Sequence, residues 1–262
     1  LEVLGIASPF ARLKQARSYA DLSGAREDLQ RVAARIAEEG VPAAIHPLVV
    51  GFTGYGNVSG GAQEILDILP TQTIAPAEVA AIAGDRSVSS KVVYKVVLHE
   101  SDLVEPVEPG RPFDLADYYR RGKEGFRSVF GRYADHLSLL VNCVYWDDRY
   151  PRLLTLEDCR RMWSDGRSPR LVVIGDISCD VGGSVECTVK STDPGNPVYV
   201  YEPAGGSARD GFEGHGPVVM AVDILPSEIP RESSIDFSRV LKPLLAELSR
   251  ADLGRPFAEL TL

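Results

Sequence analysis

A glycine-rich stretch between an apolar run and a helical pattern constrains this chain more than any other feature. The apolar run is LVVGFT, residues 48–53, and the segment GYGNVSGGAQEIL follows it directly. A short, continuous apolar run that ends in glycines is typical of a buried parallel strand. Strand, glycine turn and helix occur in this order in dinucleotide-binding folds, where the turn lies against a diphosphate.

Three positions of the turn have separate tasks in such a fold. The first glycine, Gly54, permits the tight turn, and the second, Gly56, lets the backbone approach the pyrophosphate. Free N–H groups at the N-terminus of the next helix attract the phosphates. The third position holds Ser59, where glycine allows close helix–strand packing, so the strict motif is broken by one residue. The pattern favours dinucleotide binding, and a merely structural glycine turn is the alternative.

Strand-like and helix-like segments alternate along the whole chain. This alternation predicts an α/β fold, a Rossmann-like doubly wound parallel sheet with flanking N- and C-terminal helices that would pack on a second domain. Helical spacing predicts helices at 9–22, 25–40, 61–69, 77–84, 114–122, 155–163 and 233–254. Apolar runs predict strands at 48–53, 71–75, 137–146, 171–178, 197–203 and 216–225, while 91–98 fits a strand or a buried helix equally.

We divide the chain into three parts on this basis. They are a helical inter-domain segment (1–45), a dinucleotide-binding Rossmann domain (46–226) and a C-terminal helical segment (227–262). The chain opens without an initiator Met, and we interpret it as a segment of a longer protein.

Charge and cysteine usage exclude several classes of function. The chain has 28 Lys and Arg against 37 Asp and Glu, a formal net charge of −9, which argues against non-specific nucleic-acid binding. No apolar run approaches the ~18 residues of a membrane span, and the opening residues do not form a secretion signal. The four cysteines and four histidines are scattered, so we expect no metal site and a cytoplasmic protein with reduced thiols.

A second segment, LVVIGDISCDVGGSVE, places two carboxylates at and just beyond the end of a strand. Ligands of doubly wound sheets bind in the crevice at the carboxyl ends of the strands. Asp176 and Asp180 therefore fit a site that orients an ammonium group or accepts a proton. A solvated turn, with Asp176 as a cap, is an equally good interpretation of the segment alone.

Four segments, in order along the chain, resemble the lysine–2-oxoglutarate reductase half of the lysine-degrading bifunctional alpha-aminoadipic semialdehyde synthase. This half is a lysine-forming saccharopine dehydrogenase, and it is more distantly similar to the alanine dehydrogenase and transhydrogenase superfamily. The segments are GFTGYGNVSGGA (51–62), VNCVYWDDRYPRLLT (141–155), GDISCDVGGSVECT (175–188) and AVDILPSEIPRESS (221–234).

The resemblance implies an NAD(P)-dependent dehydrogenase acting on CH–NH donors. Hydride from the reduced nicotinamide would reduce the imine of lysine and 2-oxoglutarate, giving saccharopine. Asp180 would lie beside the reacting centre as a catalytic residue, and Ile224 stands where relatives usually have Asn. The implied cofactor contacts are Thr53, Gly54, Tyr55, Gly56, Asn57, Val58, Ser59, Asn142, Cys143, Asp176, Ile177, Ser178, Asp223, Ile224 and Leu225.

The cofactor is NADP or NAD, and the sequence leans toward NADP. The strand that follows the glycine turn, TQTIAP, ends without the Asp or Glu that would bind a ribose 2′-hydroxyl. Arg86 and Lys91 are candidates to supply charge to a 2′-phosphate, although nothing in the sequence places either of them. Animal and plant members of the family generally prefer NADP(H), whereas the fungal lysine-forming enzymes use NAD.

Some parts of the family enzyme have no counterpart here. The family's catalytic Lys and His belong to an N-terminal domain, and a saccharopine-cleaving domain follows in the bifunctional enzyme. The expected partners are therefore small-molecule substrates (lysine, 2-oxoglutarate, saccharopine) and these missing domains, with no nucleic acid and no membrane. The chain alone is expected to bind nucleotide yet turn over little.

Several alternatives stay open. One is another amino-acid or opine dehydrogenase, and another is a non-catalytic dinucleotide-binding module. A homo-oligomer and, if the source is an animal, a mitochondrial location are also compatible with the sequence.

Overall fold

An eight-stranded sheet crosses the computed structural model, which describes residues 5–164, 169–252 and 254. The strands of the chain are β1 Val49–Thr53, β2 Thr71–Thr73, β3 Val93–Leu98, β4 Val104–Pro106, β5 Phe126–Ser128, β6 Leu139–Asn142, β7 Val173–Asp176, β8 Val198–Glu202, β9 Ser207–Asp210 and β10 Val218–Met220. The helices are α1 Leu22–Glu39, α2 Asn57–Leu66, α3 Val79–Gly84, α4 Glu100–Leu103, α5 Leu115–Arg121, α6 Gly131–Ala134, α7 Leu156–Met162 and α8 Pro230–Leu248.

The order of the strands in the large sheet is β2-β3-β1-β6-β7-β10-β8-β9. Neighbours from β2 to β10 run parallel, and β8 and β9 add an antiparallel edge. β4 and β5 pair with each other in a separate antiparallel ribbon. The predicted α/β, Rossmann-like fold is confirmed, with an antiparallel extension that the alternation of the sequence does not indicate.

The neighbour of β1 in the sheet is not the next strand in the sequence. TQTIAP contains β2, which lies outside β3 and does not pair with β1. β3 takes the place beside β1, with Leu98 opposite Thr53. β2 is short and mostly exposed, whereas β3 is almost fully buried. The long apolar strand gains more free energy from burial at a central place in the sheet than the short one would.

Both faces of the sheet are covered, because successive side chains of β1 point to opposite sides. Val50 and Phe52 pack under α1, against Val32 and Ile36. Val49 belongs to the larger core on the other face, where the helices α3, α5, α6 and α7 supply side chains. Burial of each such side chain contributes about 1.5–3 kcal/mol, so the continuous apolar run of the sequence is explained by a strand buried on both faces.

Local sequence features explain where several elements begin or end. α1 ends at Gly40, which has a φ of +82°. The Asp114 carboxylate caps α5 by accepting a hydrogen bond from the Asp117 N–H. Thr155 and Asp158 form a capping box at the start of α7. The ambiguous run 91–98 is a strand, β3.

The predicted helix at 9–22 is wrong. This segment forms only two short 3-10 turns, Pro9–Arg12 and Ala16–Ser18. It buries Pro9 and partly buries Phe10 and Leu13, which is too little apolar contact to stabilise a helix of that length.

Other element boundaries also shift. α2 begins at Asn57 rather than 61, because the glycine turn itself supplies the start of the helix. The C-terminal helix, predicted over 233–254, covers Pro230–Leu248 with Pro243 inside it, and Leu253 lies outside the described residues. Residues 1–4 and 255–262 of the predicted terminal segments also lie outside them. In the described part of the chain, no helix is both long and apolar enough to cross a membrane.

Candidate functional site

The glycine turn begins at a position that only glycine accommodates. Gly54 has a φ of +82°, a left-handed conformation that disfavours other residues. A Cβ atom at Gly54 would also lie 3.2 Å from the carbonyl oxygen of Cys143. The chain therefore turns sharply at the carboxyl end of β1 and runs directly into α2.

The N-terminus of α2 is uncapped and open. Gly56 is its N-cap and provides no side-chain hydrogen bond, and the first intrahelical bond runs from the Gly60 N–H to the Gly56 carbonyl. The N–H groups of residues 57–59 come before Gly60 in the chain, so α2 offers them no carbonyl partner. A Cβ atom at Gly56 would meet nothing within 4 Å, and Tyr55 and Val58 are 51% and 53% exposed. These amides, with the partial positive charge of the helix end, can hold an anion such as a diphosphate.

The broken third position of the glycine motif has a structural explanation. Ser59 is fully buried at the contact of α2 with the sheet, and the Gln63 side chain donates a hydrogen bond of 3.0 Å to its hydroxyl. Gly60 and Gly61 are exposed, with open space around both. Ser59 therefore takes the packing position of the third glycine, and the buried hydroxyl is satisfied by Gln63.

A buried hydrogen-bond network joins the carboxyl ends of β1, β6 and β7. The Thr53 hydroxyl donates to Asn142 Oδ1 at 2.7 Å, and Asn142 Nδ2 donates to Asp176 Oδ1 at 2.8 Å. The same amide nitrogen donates to Ser184 Oγ at 2.9 Å, and the Thr188 hydroxyl donates to Asp176 Oδ2 at 2.6 Å. All five side chains are buried, so the network fixes the relative positions of three strand ends.

Asp176 is therefore not an exposed carboxylate. It is only 1% exposed, and burial raises the pKa of its carboxyl despite the hydrogen bonds that it accepts. Thr53 and Asn142 point into the same interior, and Asn142 contacts both Thr53 and Asp176 there, away from the crevice. Cofactor contacts predicted for these residues would have to be made by their backbone.

The loop after β7 carries the second predicted carboxylate. Asp180 is exposed, and its carbonyl accepts a hydrogen bond of 2.8 Å from the Gly183 N–H. Cys179, just before it, has a φ of +56°, and its thiol lies 3.2 Å from the Asp176 carbonyl and 3.3 Å from the Val222 carbonyl. The left-handed turn at Cys179 thus links this loop to the loop after β10.

The loops after β6, β7 and β10 meet at one edge of the sheet, which we call the carboxyl edge. The Ser178 hydroxyl donates to the Val144 carbonyl at 2.7 Å, and the Asp223 N–H donates to the Thr192 carbonyl at 3.3 Å. Asp223 and Ile224 are exposed there, and a 3-10 turn begins at Leu225. Because β1, β6 and β7 are adjacent and parallel, the glycine turn and the Asp180 loop share this edge, as the sequence predicts.

A cavity of about 410 Å³ lies beside the glycine turn. Most of its walls are apolar or aromatic, and the burial of Cys143 in this region, with the nearby Asp176, raises the pKa of its thiol to about 11. The lining residues are Gly54, Tyr55, Gly56, Asn57, Val58, Glu100, Leu103, Val104, Tyr118, Tyr119, Cys143, Val144, Tyr145, Trp146, Tyr150, Pro151 and Leu153.

Five of the lining residues belong to the glycine turn and are among the cofactor contacts that the family resemblance implies. Cys143 is a sixth lining residue from that set. Sequence reasoning missed Glu100 and the tyrosines of α5. Glu100 closely follows the apolar run 91–98, as a ligand-binding residue at a strand end would. The sequence did not show whether that run is a strand or a helix, so Glu100 was not recognised. No pattern points to Tyr119, which reaches the cavity only through the packing of α5.

Two of the histidines contact backbone carbonyls outside the site. His46 Nε2 lies 3.3 Å from the Arg86 carbonyl, and His215 Nε2 lies 3.3 Å from the Trp163 carbonyl. Within residues 5–164, 169–252 and 254, no three His, Cys, Asp or Glu side chains are grouped so that they could hold a metal ion.

The parallel sheet and the open glycine turn at its carboxyl edge define this chain as a Rossmann-like α/β protein. No protein-family model matches it. Curated proteins do: it is 36% identical to alpha-aminoadipic semialdehyde synthase of Arabidopsis thaliana, over 94% of this chain and 24% of the relative. It is 31% identical to the mitochondrial alpha-aminoadipic semialdehyde synthase of Bos taurus, over 98% of this chain and 29% of the relative.

A shorter relative has a more specific name. The chain is 30% identical to "Saccharopine dehydrogenase [NAD(+), L-lysine-forming]" of Emericella nidulans, over 61% of this chain and 37% of the relative. The chain is thus homologous to the lysine–2-oxoglutarate reductase-like part of these oxidoreductases, and the resemblance of its four segments is confirmed. It spans about a quarter of the length of the two synthases.

Proposed function

We propose that this chain binds a nicotinamide dinucleotide and takes part in the reductive condensation of L-lysine with 2-oxoglutarate to saccharopine. One observation supports this most directly. In a chain homologous to saccharopine enzymes, the uncapped N-terminus of α2 and the exposed Asp180 loop share the carboxyl edge of a parallel sheet. That edge is where doubly wound sheets bind their ligands.

The glycine turn fits the diphosphate of such a cofactor. Three amides at the start of α2 precede the first intrahelical bond, and the space beside Gly56 is open enough for a phosphate to approach the backbone. Tyr55 and Val58 stand exposed at the rim of this opening. When bound, the cofactor supplies or accepts the hydride of the reaction.

The chain's own residues then position the reacting groups. The buried network around Asn142 and Asp176 holds the ends of β6 and β7 rigid, so the loops that follow have fixed starting points. Asp180 is an exposed carboxylate in one of these loops and is suited to orient the ammonium group of an amino-acid substrate or to accept a proton. We assign it the role of substrate-facing carboxylate.

The complete reaction also needs groups that these residues do not provide. The two synthases are about three to four times longer than the region that matches this chain. We therefore propose that the remaining acid–base groups belong to other parts of a longer enzyme. The cytoplasm is the proposed location.

Two measurements test the proposed function. First, the purified chain is titrated with NADH and NADPH by isothermal titration calorimetry, and binding of at least one is expected. Second, saccharopine-dependent reduction of NAD or NADP is measured with the natural full-length protein, and turnover with saccharopine but not with other opines is expected. Absence of binding to both dinucleotides would disprove the site, while binding without saccharopine turnover would restrict the chain to another dehydrogenase or a binding module.

A further inference from the structure

We propose, on the basis of the dinucleotide site proposed above, that Glu100 selects NAD(H) over NADP(H) by binding the adenosine ribose. In Rossmann-type folds, the acidic residue that binds the ribose 2′-hydroxyl follows the strand next to the glycine-turn strand. In this chain that strand is β3, not β2. The absence of an acid after TQTIAP therefore says nothing about the cofactor.

The end of β3 lies directly beside the glycine turn. Leu98 pairs with Thr53, and the Gly54 N–H donates a hydrogen bond of 3.1 Å to the Leu98 carbonyl. His99 and Glu100 follow at once, and the Asp102 carboxylate fixes this turn by accepting from the His99 N–H at 2.9 Å. Glu100 is thus the first carboxylate after the strand beside β1.

Two tyrosines hold the Glu100 side chain at the cavity. The Tyr119 hydroxyl donates to Glu100 Oε1 at 2.9 Å, and burial together with this carboxylate raises the pKa of Tyr119 to about 12. The Glu100 charge also raises the pKa of Tyr55, whose ring stacks on His99 with centroids 4.4 Å apart. The carboxylate therefore faces the start of α2 from a position that both tyrosines support.

The charges around the cavity favour a ribose hydroxyl and oppose a phosphate. Glu100 is its only charged lining residue within the described part of the chain, and no Lys, Arg or His lines it. A 2′-hydroxyl would donate to the carboxylate, a charge-assisted bond. A 2′-phosphate would meet like charge in a half-buried site with no cation to offset it.

The two basic residues considered from the sequence lie at the opposite edge of the sheet. Arg86 donates to the carbonyl of Ala43, ahead of β1, and Lys91 precedes the start of β3. β3 spans six residues, so Lys91 is separated from Glu100 by roughly the 20 Å length of the strand. Neither Arg86 nor Lys91 therefore lies at the carboxyl edge, where a 2′-phosphate would bind.

The test is a comparison of dissociation constants, measured by isothermal titration calorimetry with NADH and with NADPH. We expect the wild-type chain to bind NADH about tenfold more tightly than NADPH, or more. This ratio of dissociation constants corresponds to the free energy of one hydrogen bond to a charged group. Glu100→Gln should narrow this ratio several-fold, chiefly by improved binding of NADPH, because it removes the repulsion and keeps an acceptor. Glu38→Gln, an exposed carboxylate on α1, is the matched control and should leave the ratio unchanged.

The outcomes separate this proposal from the proposed function. Equal affinities, a preference for NADPH, or an unchanged ratio in Glu100→Gln would overturn the role of Glu100 and leave the dinucleotide site standing. Failure of the wild-type chain to bind either dinucleotide would overturn both. Far-ultraviolet circular dichroism of each variant shows whether the fold is retained.

Discussion

The side-chain amide of Asn142 donates a 2.8 Å hydrogen bond to Asp176, and this bond ties the end of β6 to the end of β7 beneath the candidate site. Both side chains are buried, so neither has water as an alternative partner. Two residues that the family resemblance places among the cofactor contacts thus form the support on which the exposed loops are held.

Asp176→Ala should destabilise the fold by about 2–4 kcal/mol, because it leaves the Asn142 amide and the Thr188 hydroxyl buried without this partner. Asp176→Asn should cost less than half as much, since it keeps an acceptor and removes the burial penalty of the charge. Urea unfolding followed by tryptophan fluorescence measures both. Equal losses in the two variants would show that the network is not what stabilises these strand ends.

Gly56→Val should abolish dinucleotide binding and leave the fold intact. The new side chain has open space within the protein, so it costs little in packing, but it occupies the place from which a diphosphate would approach the backbone. Gly61→Ala, in the exposed first turns of α2, is the control and should bind normally. Calorimetric titration measures affinity, and unchanged binding in Gly56→Val would contradict the placement of the diphosphate.

Asp180→Asn should lower the turnover of the full-length enzyme by about 10²-fold or more, and the affinity for the dinucleotide by far less. The carboxylate is exposed in the loop after β7 and makes its backbone contacts through the carbonyl, so the substitution leaves the loop intact. Steady-state kinetics and cofactor titration are compared in the same preparation. Parallel losses of turnover and affinity would move Asp180 from a substrate-facing role to cofactor binding.

Glu108 should contribute a pH-dependent part of the stability. Hydrogen bonds from Arg121 and Arg111 lower its pKa from 4.5 to about 2. A carboxyl whose pKa is lowered by folding stabilises the folded state above its unfolded pKa, and that contribution disappears as the pH falls toward the folded value. Wild type should therefore exceed Glu108→Gln in stability at pH 7, with a difference that shrinks below pH 4.5.

Thermal unfolding at pH 7, 4 and 3 measures this difference. Glu124→Gln is the control, because Glu124 is an exposed carboxylate nearby in the chain without an ion pair among the described residues. A constant difference between wild type and Glu108→Gln across these pH values would show that the two arginine bonds do not act in solution.

The sequence by itself determined the local features. Helix caps such as Asp114 and Thr155, the left-handed Gly54 and the strand–turn–helix unit depend on residues close together in the chain. The resemblance of the four segments also required only the sequence. Sequence reasoning failed at 9–22, where helical spacing is present but too few apolar contacts exist to stabilise a helix.

Only the tertiary structure decided which strands are neighbours. Strand pairing joins residues far apart in the chain, so the sequence order β1, β2, β3 did not reveal that β3 lies beside β1 and β2 outside it. That order places Glu100 beside the glycine turn, so the missing acid after TQTIAP no longer bears on the choice between NADP and NAD. Burial is decided in the same way, since Asp176 and Asp180 look alike four residues apart, yet the sheet encloses one and exposes the other.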